Sequence, residues 1–382
     1  MRILLVSEYY PPHIGGVEIV FQNLSEGLVQ RGHDVTMVTC KLPETKDAET
    51  VNGVQIVRVN VPRKGSRYWF SFLAVPQIFA LARKADLIQT TTYNGAFPSI
   101  LVCKVLRKKC VITVHEVLGR HWDDFTNISR FSSKSHKFLE KIIMSLPFDA
   151  FVCVSDHTGK AVKSLGIAKN KIKIIYNGID HDLFKPLEVQ NNQIRHELNL
   201  NNEFIYMYFG RPGISKGVEY LVRAVPLISR QISNSKLLLI LAHDPKDRYE
   251  NIKNMIRDLK IEDRIIILDP LPITRLPDYI GISDCVVVPS LSEGFGFTAA
   301  EACAMDKPVV ASNVDSLPEV VSGKYILVEP KKPDLIAEAV HKVYKGEYRQ
   351  TSKKMFTWNE CAEKYERVYQ EMLSMGQLSA QT

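Results

Sequence analysis

Two glutamates stand eight positions apart in the stretch SEGFGFTAAEACAMDKPVV, which runs from Ser292 to Val310. Glu293 precedes two glycines, where a chain turns, and Glu301 lies inside an alanine-rich run that favours a helix. Carboxylates accept hydrogen bonds from pairs of neighbouring hydroxyl groups. If both side chains border one cleft, the spacing predicts a site that recognises the hydroxyls of a ribose or a hexose.

The neighbours of Glu301 are small and apolar, so its helix is expected to be buried: Ala299, Ala300, Ala302, Cys303 and Ala304. A buried carboxylate needs partners, which favours a binding role over that of an exposed helical glutamate. The strand DCVVVPS, the loop LSEGFGF and a helix from Thr298 onward would also place a helix N-terminus between the two carboxylates. Such a terminus binds phosphate through its free N–H groups.

Two further glycine loops could bind anions. FGRPGISKG carries Arg211 and Lys216 after a predicted strand. A planar guanidinium and a compact ammonium together suit a diphosphate, although surface loops also carry such residues by chance. YYPPHIGGVEIVF joins a strand to a helix start at Gly15 and Gly16, where backbone N–H groups are free to meet an anion. A plain strand-to-helix turn explains these two glycines at least as well.

Short apolar strands alternate with amphipathic helices and must position these residues. Candidates in the first half are RILLVS, DVTMVT, VQIVRV, DLIQTT, KCVITVHE and AFVCVS. After NGIDHDLFKP the pattern restarts with FIYMYFG, KLLLILA, RIIILD, CVVVPS and PVVASN. Alternation predicts two parallel sheets, each covered on both faces. Ligands of such sheets bind beyond the carboxyl ends of the strands, so two facing domains imply a cleft.

Composition indicates an ordinary globular chain of 382 residues, 45% hydrophobic and 24% charged, which is long enough for two domains. The 7 cysteines are scattered without a C-x-x-C pair, which is typical of a reducing cytoplasm. The N-terminus MRILLVSEYY turns polar without a signal cleavage site, and no apolar run approaches the length of a membrane span. We therefore expect a cytoplasmic protein whose only membrane contact would be peripheral.

Positive charge is concentrated in the first half of the chain. Residues 1–186 hold 25 Lys+Arg against 16 Asp+Glu, and residues 187–382 hold 24 against 26. Clusters such as PRKGSR, LRKKC and KSHKFLEK could face anionic lipid or a phosphate-bearing acceptor. A solvated lysine-rich surface explains them equally well. The basic half lacks an aromatic and basic recognition motif, so no nucleic-acid partner is expected.

Taken together, these motifs resemble the retaining GT-B glycosyltransferases of family 4 over nearly the whole chain. The resemblance rests on PPHIGGVE, RGHDVTMVT, TVHE, IYNGID, GRPGISKG, PSLSEGFGFTAAEACAMDKPVVAS and LPEVV, among which the E-x7-E is the most specific. It implies an α/β fold of two Rossmann-like doubly wound domains facing across a cleft. Residues 1–186 would bind the acceptor and residues 187–356 the nucleotide-sugar, while a crossover helix and tail, 357–382, would pack on the first domain.

The resemblance also assigns roles to individual residues. Arg211 and Lys216 would neutralise the diphosphate, Glu301 would hold the ribose hydroxyls and Glu293 would contact the donor sugar. His115 would contact the transferred sugar near its anomeric carbon; the residues alone favour a satisfied histidine at a strand end. Catalytic roles thus fall on His115, Arg211, Lys216 and Glu293. Donor binding would involve Arg211, Lys216, Glu293 and Glu301. It would also involve the loop glycines Gly15 and Gly16 and the segment of Gly294, Phe295, Gly296, Phe297 and Thr298.

The implied reaction is transfer, with retention, of a hexose or N-acetylhexosamine from a nucleotide-diphosphate sugar to a glycan or lipid-linked acceptor in cell-surface glycan or glycolipid synthesis. Uridine is the favoured base and guanosine the runner-up; neither a cofactor nor a metal is expected, including at the DHD of Asp180–Asp182. The alternatives are a UDP-sugar epimerase of related architecture and a catalytically degenerate nucleotide-sugar-binding module. Two departures from the family pattern, Glu116 in place of Asp and the strand end LAHDPKD, bear on the sugar and base preference.

Overall fold

The computed structural model describes residues 1–62, 65–123, 130–187 and 192–378, and the chain divides into two compact units. The first unit comprises residues 1–178 and 356–382, and the second comprises residues 179–355. The last four residues of the predicted tail, 379–382, lie outside the described part of the chain. Within the described residues, no helix combines the length and the apolar character that crossing a bilayer requires.

The first unit is built on one sheet with helices between its strands. The strands are β1 (Arg2–Val6), β2 (Asp34–Cys40), β3 (Ala48–Val51), β4 (Val54–Val59), β5 (Leu87–Thr91), β6 (Lys109–Val114), β7 (Ala150–Cys153) and β8 (Ile172–Ile174). The helices are α1 (Gly16–Gln30), α2 (Ser66–Leu73), α3 (Val75–Ala82), α4 (Ala96–Leu106), α5 (Arg130–Ser145) and α6 (Asp156–Ser164). The strand order is β3-β4-β2-β1-β5-β6-β7-β8, with every recorded pair parallel except β3 with β4.

The second unit repeats this plan. Its strands are β9 (Phe204–Gly210), β10 (Ser235–Leu241), β11 (Ile265–Leu268), β12 (Cys285–Val288), β13 (Val309–Ser312), β14 (Lys324–Val328) and β15 (Arg349–Gln350). Its helices are α7 (Asn192–Glu197), α8 (Val218–Gln231), α9 (Lys246–Asp258), α10 (Leu276–Ile282), α11 (Phe297–Ala304), α12 (Leu317–Val320) and α13 (Pro333–Tyr344). The order is β11-β10-β9-β12-β13-β14-β15, parallel except for β14 with β15.

Both sheets reverse their strand order at one point, between β1 and β5 in the first unit and between β9 and β12 in the second. The central strands are buried on both faces, which is why they read as continuous Val, Ile and Leu runs. The prediction of two doubly wound α/β domains is confirmed. A reversal point leaves a crevice at the carboxyl ends of its two strands, so the loops after β1, β5, β9 and β12 are the places to look for ligand-binding residues.

The last helix, α14 (Trp358–Leu378), belongs to the first unit. It begins where the Thr357 hydroxyl accepts a hydrogen bond from the backbone N–H of Glu360 at 3.2 Å, the contact that its capping-box spacing predicts. Its buried face includes Tyr365, whose hydroxyl lies 2.8 Å from the Thr113 hydroxyl in β6. Glu366 adds an ion pair to Arg31 at the end of α1, with an N–O distance of 2.6 Å.

Candidate functional site

The loops that follow β9 and β12 are joined by hydrogen bonds in the second unit. The carbonyl of Ser215 accepts a bond from the backbone N–H of Leu291 at 2.6 Å and from that of Ser292 at 3.3 Å. These two loops leave neighbouring strands at the reversal point, since β9 pairs directly with β12. The fold therefore brings the FGRPGISKG loop and the SEGFGF loop together although they lie far apart in sequence.

Lys216 and Glu293 form an ion pair across these loops. The Lys216 Nζ lies 2.7 Å from Glu293 Oε1, which also accepts a hydrogen bond from the Ser290 hydroxyl at 2.8 Å. The lysine side chain is 32% exposed and the glutamate side chain 11% exposed. Glu293 thus fixes the direction of the ammonium group at the edge of the sheet, where one face of the lysine remains open to a second anion.

Asp315 and Ser316 hold the backbone of the Glu293 loop from the segment after β13. The Asp315 carboxylate accepts hydrogen bonds from the Glu293 N–H at 3.1 Å and from the Ser292 hydroxyl at 2.7 Å. The Ser316 hydroxyl is within 2.9 Å of the carbonyls of Glu293 and Phe295. Sequence reasoning missed both residues, because the dipeptide Asp315-Ser316 before LPEVV has the sequence of an ordinary turn.

Two loop glycines are required by close approach of other groups. Gly217 has φ +62, and a Cβ there would lie 2.2 Å from the Pro289 carbonyl oxygen. Gly296, immediately before α11, has φ +95, and its Cβ would lie 2.7 Å from a methyl of Leu317. An L side chain rarely adopts positive φ, so both positions demand glycine for two independent reasons. The two glycines allow the loops to approach one another and α12.

Replacing Gly217 by alanine is therefore expected to destabilise the protein by about 2–4 kcal/mol, since backbone atoms must move to admit the methyl group. Gly346→Ala is a matched control because Gly346 has φ +76 with nothing within 4 Å of the added Cβ. The control isolates the cost of positive φ, about 1 kcal/mol. Urea unfolding of both variants measures the difference, and equal losses would contradict the close approach at Pro289.

The N-terminus of α11 lies beside this loop pair. The helix begins at Phe297, and its first-turn N–H groups lack intrahelical acceptors, as in any α-helix. The Thr298 hydroxyl lies 3.4 Å from the carbonyl of Phe209 in β9, which ties the helix start to the end of that strand. The segment of Gly294, Phe295 and Gly296 connects Glu293 to this helix, so these predicted donor-binding residues follow one another directly along the chain.

Glu301 lies in the second turn of α11, on a helix whose Ala299 and Ala302 are fully buried. Burial raises the pKa of its carboxyl to about 8 from an ordinary value of 4.5, although the residue as a whole keeps some exposed surface. No hydrogen bond or ion pair to the Glu301 carboxyl is found among the described residues. The carboxyl is thus mostly protonated at neutral pH and retains its capacity for hydrogen bonds to a ligand.

Arg211 follows β9 directly and is exposed. Its carbonyl accepts a hydrogen bond from the buried Tyr208 hydroxyl at 3.0 Å, and burial raises the pKa of that tyrosine. No ion pair of the guanidinium is found in the described part of the chain. The backbone of Arg211 is therefore held in place while its side chain stays available for an anion.

In the first unit, the glycine loop after β1 is organised around Glu18. Its carboxylate lies 2.9 Å from His13 Nδ1, and the His13 ring stacks on Tyr9 at 4.4 Å. A Cβ at Gly15, the N-cap of α1, would lie 2.3 Å from the Glu18 carboxylate. A methyl group at position 15 would therefore require the Glu18 side chain to shift, and Gly16 begins the helix. Sequence reasoning missed Glu18 itself, although GGVE belongs to one of the family motifs.

His115 follows β6, whose last residue is Val114. Its Nε2 atom is buried and has no hydrogen-bond partner among the described residues. Burial lowers the pKa of His115 to about 4, and the nearby charge of Glu18 only partly opposes this effect. The imidazole is therefore neutral at physiological pH. An unpartnered buried ring nitrogen fits a ligand-contacting histidine better than the satisfied strand-end histidine that the residues alone favour.

The predicted DHD segment has a local structural role. The Asp180 carboxylate accepts hydrogen bonds from the N–H groups of Asp182 and Leu183, each at 3.0 Å. This pattern is the turn that aspartate commonly forms with its own backbone. The segment follows the first unit directly in sequence and opens the second.

Comparison with known proteins agrees with this fold. Residues 14–183 match Glycosyltransferase Family 4, and residues 190–362 match Glycosyl transferases group 1. Together with the two doubly wound domains, these matches identify the protein as a glycosyltransferase of the GT-B fold. The chain belongs to glycosyltransferase family 4, which confirms the family and the GT-B fold of the resemblance found in the sequence.

Relatives and solved structures cover almost the full chain. An uncharacterised glycosyltransferase of Methanocaldococcus jannaschii is 30% identical, covering 98% of this chain and 99% of its own. A phosphatidylinositol N-acetylglucosaminyltransferase subunit from Arabidopsis thaliana is 24% identical over 99% of this chain and 84% of its own. Sucrose-phosphate synthase from Thermosynechococcus elongatus has a similar structure, with TM-score 0.75, 25% identity and coverage of 100% and 98%. The Anabaena protein HepE, solved with UDP and glucose, has TM-score 0.74, 18% identity and the same coverage.

Proposed function

We propose that this glycosyltransferase moves a hexose or N-acetylhexosamine, with retention of configuration, from a UDP-sugar to a glycan or lipid-linked acceptor. The observation that carries the proposal is the joining of two loops at the β9/β12 reversal point, which places Lys216 beside Glu293 at 2.7 Å and next to the start of α11. A cation, a carboxylate and a helix N-terminus at one strand edge suit a sugar attached to a diphosphate.

The relatives support the choice of sugar and acceptor class. Subunits of phosphatidylinositol N-acetylglucosaminyltransferase occur in Arabidopsis thaliana and in Saccharomyces cerevisiae, at 24% and 23% identity to this chain. Their name describes an N-acetylhexosamine transferred to a lipid. We extend that class of reaction to this protein, with the enzyme peripheral on the cytoplasmic face of a membrane. UDP is the donor nucleotide we favour, in line with the ligand of the HepE structure.

In the proposed reaction, the donor diphosphate binds at Lys216 and Arg211, with its oxygens toward the N-terminus of α11. Lys216 then shares its charge between the Glu293 carboxylate and the diphosphate, and it stabilises the charge that develops on the leaving phosphate. Glu293 accepts hydrogen bonds from the donor sugar, and Glu301 accepts them from the ribose. The neutral His115 contacts the transferred sugar through its unpartnered Nε2.

Retention is proposed to arise by attack on the same face of the sugar from which the phosphate departs. The bond from the acceptor oxygen to the anomeric carbon forms as the bond from that carbon to the phosphate oxygen breaks. The acceptor hydroxyl gives its proton to the leaving phosphate oxygen, so no carboxylate of the protein has to act as nucleophile. Because Lys216 and Arg211 already supply positive charge at the phosphate, we propose that transfer requires no metal.

Thermal-shift binding across UDP-, GDP- and ADP-sugars and NAD, with and without EDTA, tests the proposal. A ligand that binds only the folded protein raises its apparent stability, by about 2.7 kcal/mol at a hundredfold excess over Kd. We expect stabilisation by UDP-sugars that is unchanged by EDTA. The anomeric configuration of the product, measured by NMR, then tests retention. Stabilisation by no nucleotide-sugar, or only by NAD, would overturn the proposed function.

A further inference from the structure

The whole excess of positive charge lies in one part of the first unit. Residues 66–145 contain 12 of the 49 Lys+Arg and only 5 of the 42 Asp+Glu. The rest of the chain therefore holds 37 of each kind and is formally neutral, so the net charge of +7 belongs to residues 66–145 alone. This range includes α2, α3, α4 and α5. Six of the 12 Lys+Arg lie within these four helices, against Glu140 as their single acidic residue. Such a charge excess points to a surface with a directed role rather than to general solubility.

The same helices expose large apolar side chains in stripes. In α4, Phe97, Leu101 and Val105 are spaced four residues apart, so they share one helix face, and Val105 is 64% exposed. In α5, Phe138 is 65% exposed and Ile142 lies one turn further along the same face. Eleven of the nineteen large apolar side chains found exposed in the described residues fall between residues 66 and 145. Such clustering marks an interaction surface.

Cationic side chains accompany each stripe. Lys104 is exposed next to Val105 in α4, and Lys141 is exposed next to Ile142 in α5. Neither lysine forms an ion pair in the described part of the chain. The buried carboxylate of Glu140 does not oppose them at the surface, since the backbone N–H groups of Leu118 and Gly119 donate to it.

These helices lie on one side of the first sheet. Phe70 and Ala74 from α2 and its end, Ile78 from α3, Ile100 from α4 and Met144 from α5 belong to a single buried hydrophobic cluster. Because their inner faces share this cluster, their exposed stripes point outward from the same side of the unit. The aromatic residues Tyr68 and Trp69, both exposed in α2, add to that side.

We propose that this surface, formed by the outer faces of α2 to α5, binds an anionic lipid bilayer. Apolar and aromatic side chains would enter the headgroup region, while Lys104 and Lys141 would pair with lipid phosphates. The inference gives the proposed peripheral location a defined contact surface. It rests on the proposed function only where it assumes that the acceptor is lipid-linked and lies at the membrane. Binding of the bilayer itself does not depend on sugar transfer.

A second copy of the chain is a poorer occupant for the same surface. A two-fold dimer would place the surface against itself, because such an interface uses the same residues from both protomers. Two such surfaces, each with an excess of cationic side chains that includes Lys104 and Lys141, repel one another. An anionic bilayer instead complements the charge and accepts scattered apolar side chains without shape matching. The charge distribution therefore favours lipid.

Vesicle co-sedimentation of the full chain tests this inference. We expect binding to vesicles of phosphatidylcholine mixed with phosphatidylglycerol, at least tenfold weaker binding to phosphatidylcholine alone, and weakening by salt. The variant Leu101→Ser/Val105→Ser/Phe138→Ser should lose at least tenfold in affinity for the mixed vesicles. Its matched control is Ile273→Ser/Tyr344→Ser/Met355→Ser, three similarly exposed apolar residues of the second unit, which should bind as the wild type does.

A second readout does not require the triple variant to fold. Trp69 is 48% exposed, so vesicle binding should shift its fluorescence to the blue, and Trp69→Phe should abolish that shift without abolishing binding. Wild-type binding to neither vesicle, or equal binding by both triple variants, would overturn the proposal. If the wild type dimerises and only the first triple variant loses dimerisation, the surface binds a second copy of the chain instead of lipid. Donor hydrolysis by the enzyme without vesicles, measured in parallel, tests the proposed sugar transfer independently of bilayer binding.

Discussion

Lys216→Ala is expected to slow turnover of the donor sugar by about 10²- to 10³-fold, with a much smaller change in donor affinity. The lysine meets Glu293 at 2.7 Å and would meet the leaving diphosphate with its open face. Charge on that phosphate develops as the sugar departs, so the ammonium group contributes more to the transition state than to the bound donor. Single-turnover hydrolysis of the UDP-sugar, followed with enzyme in excess, measures this effect without the acceptor.

Two further variants separate charge from packing in that result. Lys216→Arg keeps a positive charge and should recover part of the rate, since a guanidinium also binds phosphate. Lys345→Ala removes an exposed lysine of the same unit away from these loops and should leave the rate unchanged. The ion pair itself is partly exposed, so its loss should cost about 1 kcal/mol of stability or less. Wild-type turnover in Lys216→Ala would remove this lysine from the reaction.

The sequence predicts which loops carry the site, but it does not predict their contacts. The sequence identifies Lys216 and Glu293 because each lies in a glycine-rich loop that follows a strand. Their ion pair, however, depends on β9 lying next to β12. Seventy-seven residues separate the two side chains along the chain, and spacing alone cannot show which strands are neighbours. The sequence does not single out Asp315 or Glu18 for a related reason. Asp315 acts through a contact that depends on the fold, and the packing of Glu18 against its glycine loop is not visible from the motif that contains it.

The predicted strands of the sheet interiors are confirmed, and the missed ones lie toward the edges. Buried strands such as β9 and β10 read as apolar runs because both faces are covered. The edge strand β3 has the sequence AETV with little burial, and β15 is only two residues long. Their conformation comes from pairing with β4 and β14 rather than from their own pattern, so periodicity does not reveal them.

Burial raises the pKa of Glu301, the residue that is predicted to bind the ribose. Its folded pKa of about 8 exceeds the ordinary value of 4.5, so between those values the folded protein keeps a proton that the unfolded chain releases. The stability of the ligand-free protein should therefore fall as pH rises from 4.5 through 8, by up to about 1.4 kcal/mol per pH unit. Glu301→Gln cannot ionise and should lose this slope, as urea unfolding at several pH values would show.

Donor affinity should follow the opposite trend, which makes the assignment of Glu301 testable. Ribose hydroxyls that donate to the carboxylate stabilise its ionised form, so donor binding below pH 8 must release a proton. Donor affinity should therefore increase as the pH rises towards 8, by up to about tenfold per pH unit. Glu301→Gln should bind with little pH dependence, and Glu301→Ala about a hundredfold more weakly with a smaller change in kcat. Calorimetry in two buffers of different ionisation enthalpy counts the released protons. A wild-type protein that binds UDP-sugar without proton release, and a Gln variant with the same pH profile, would place Glu301 away from the ribose.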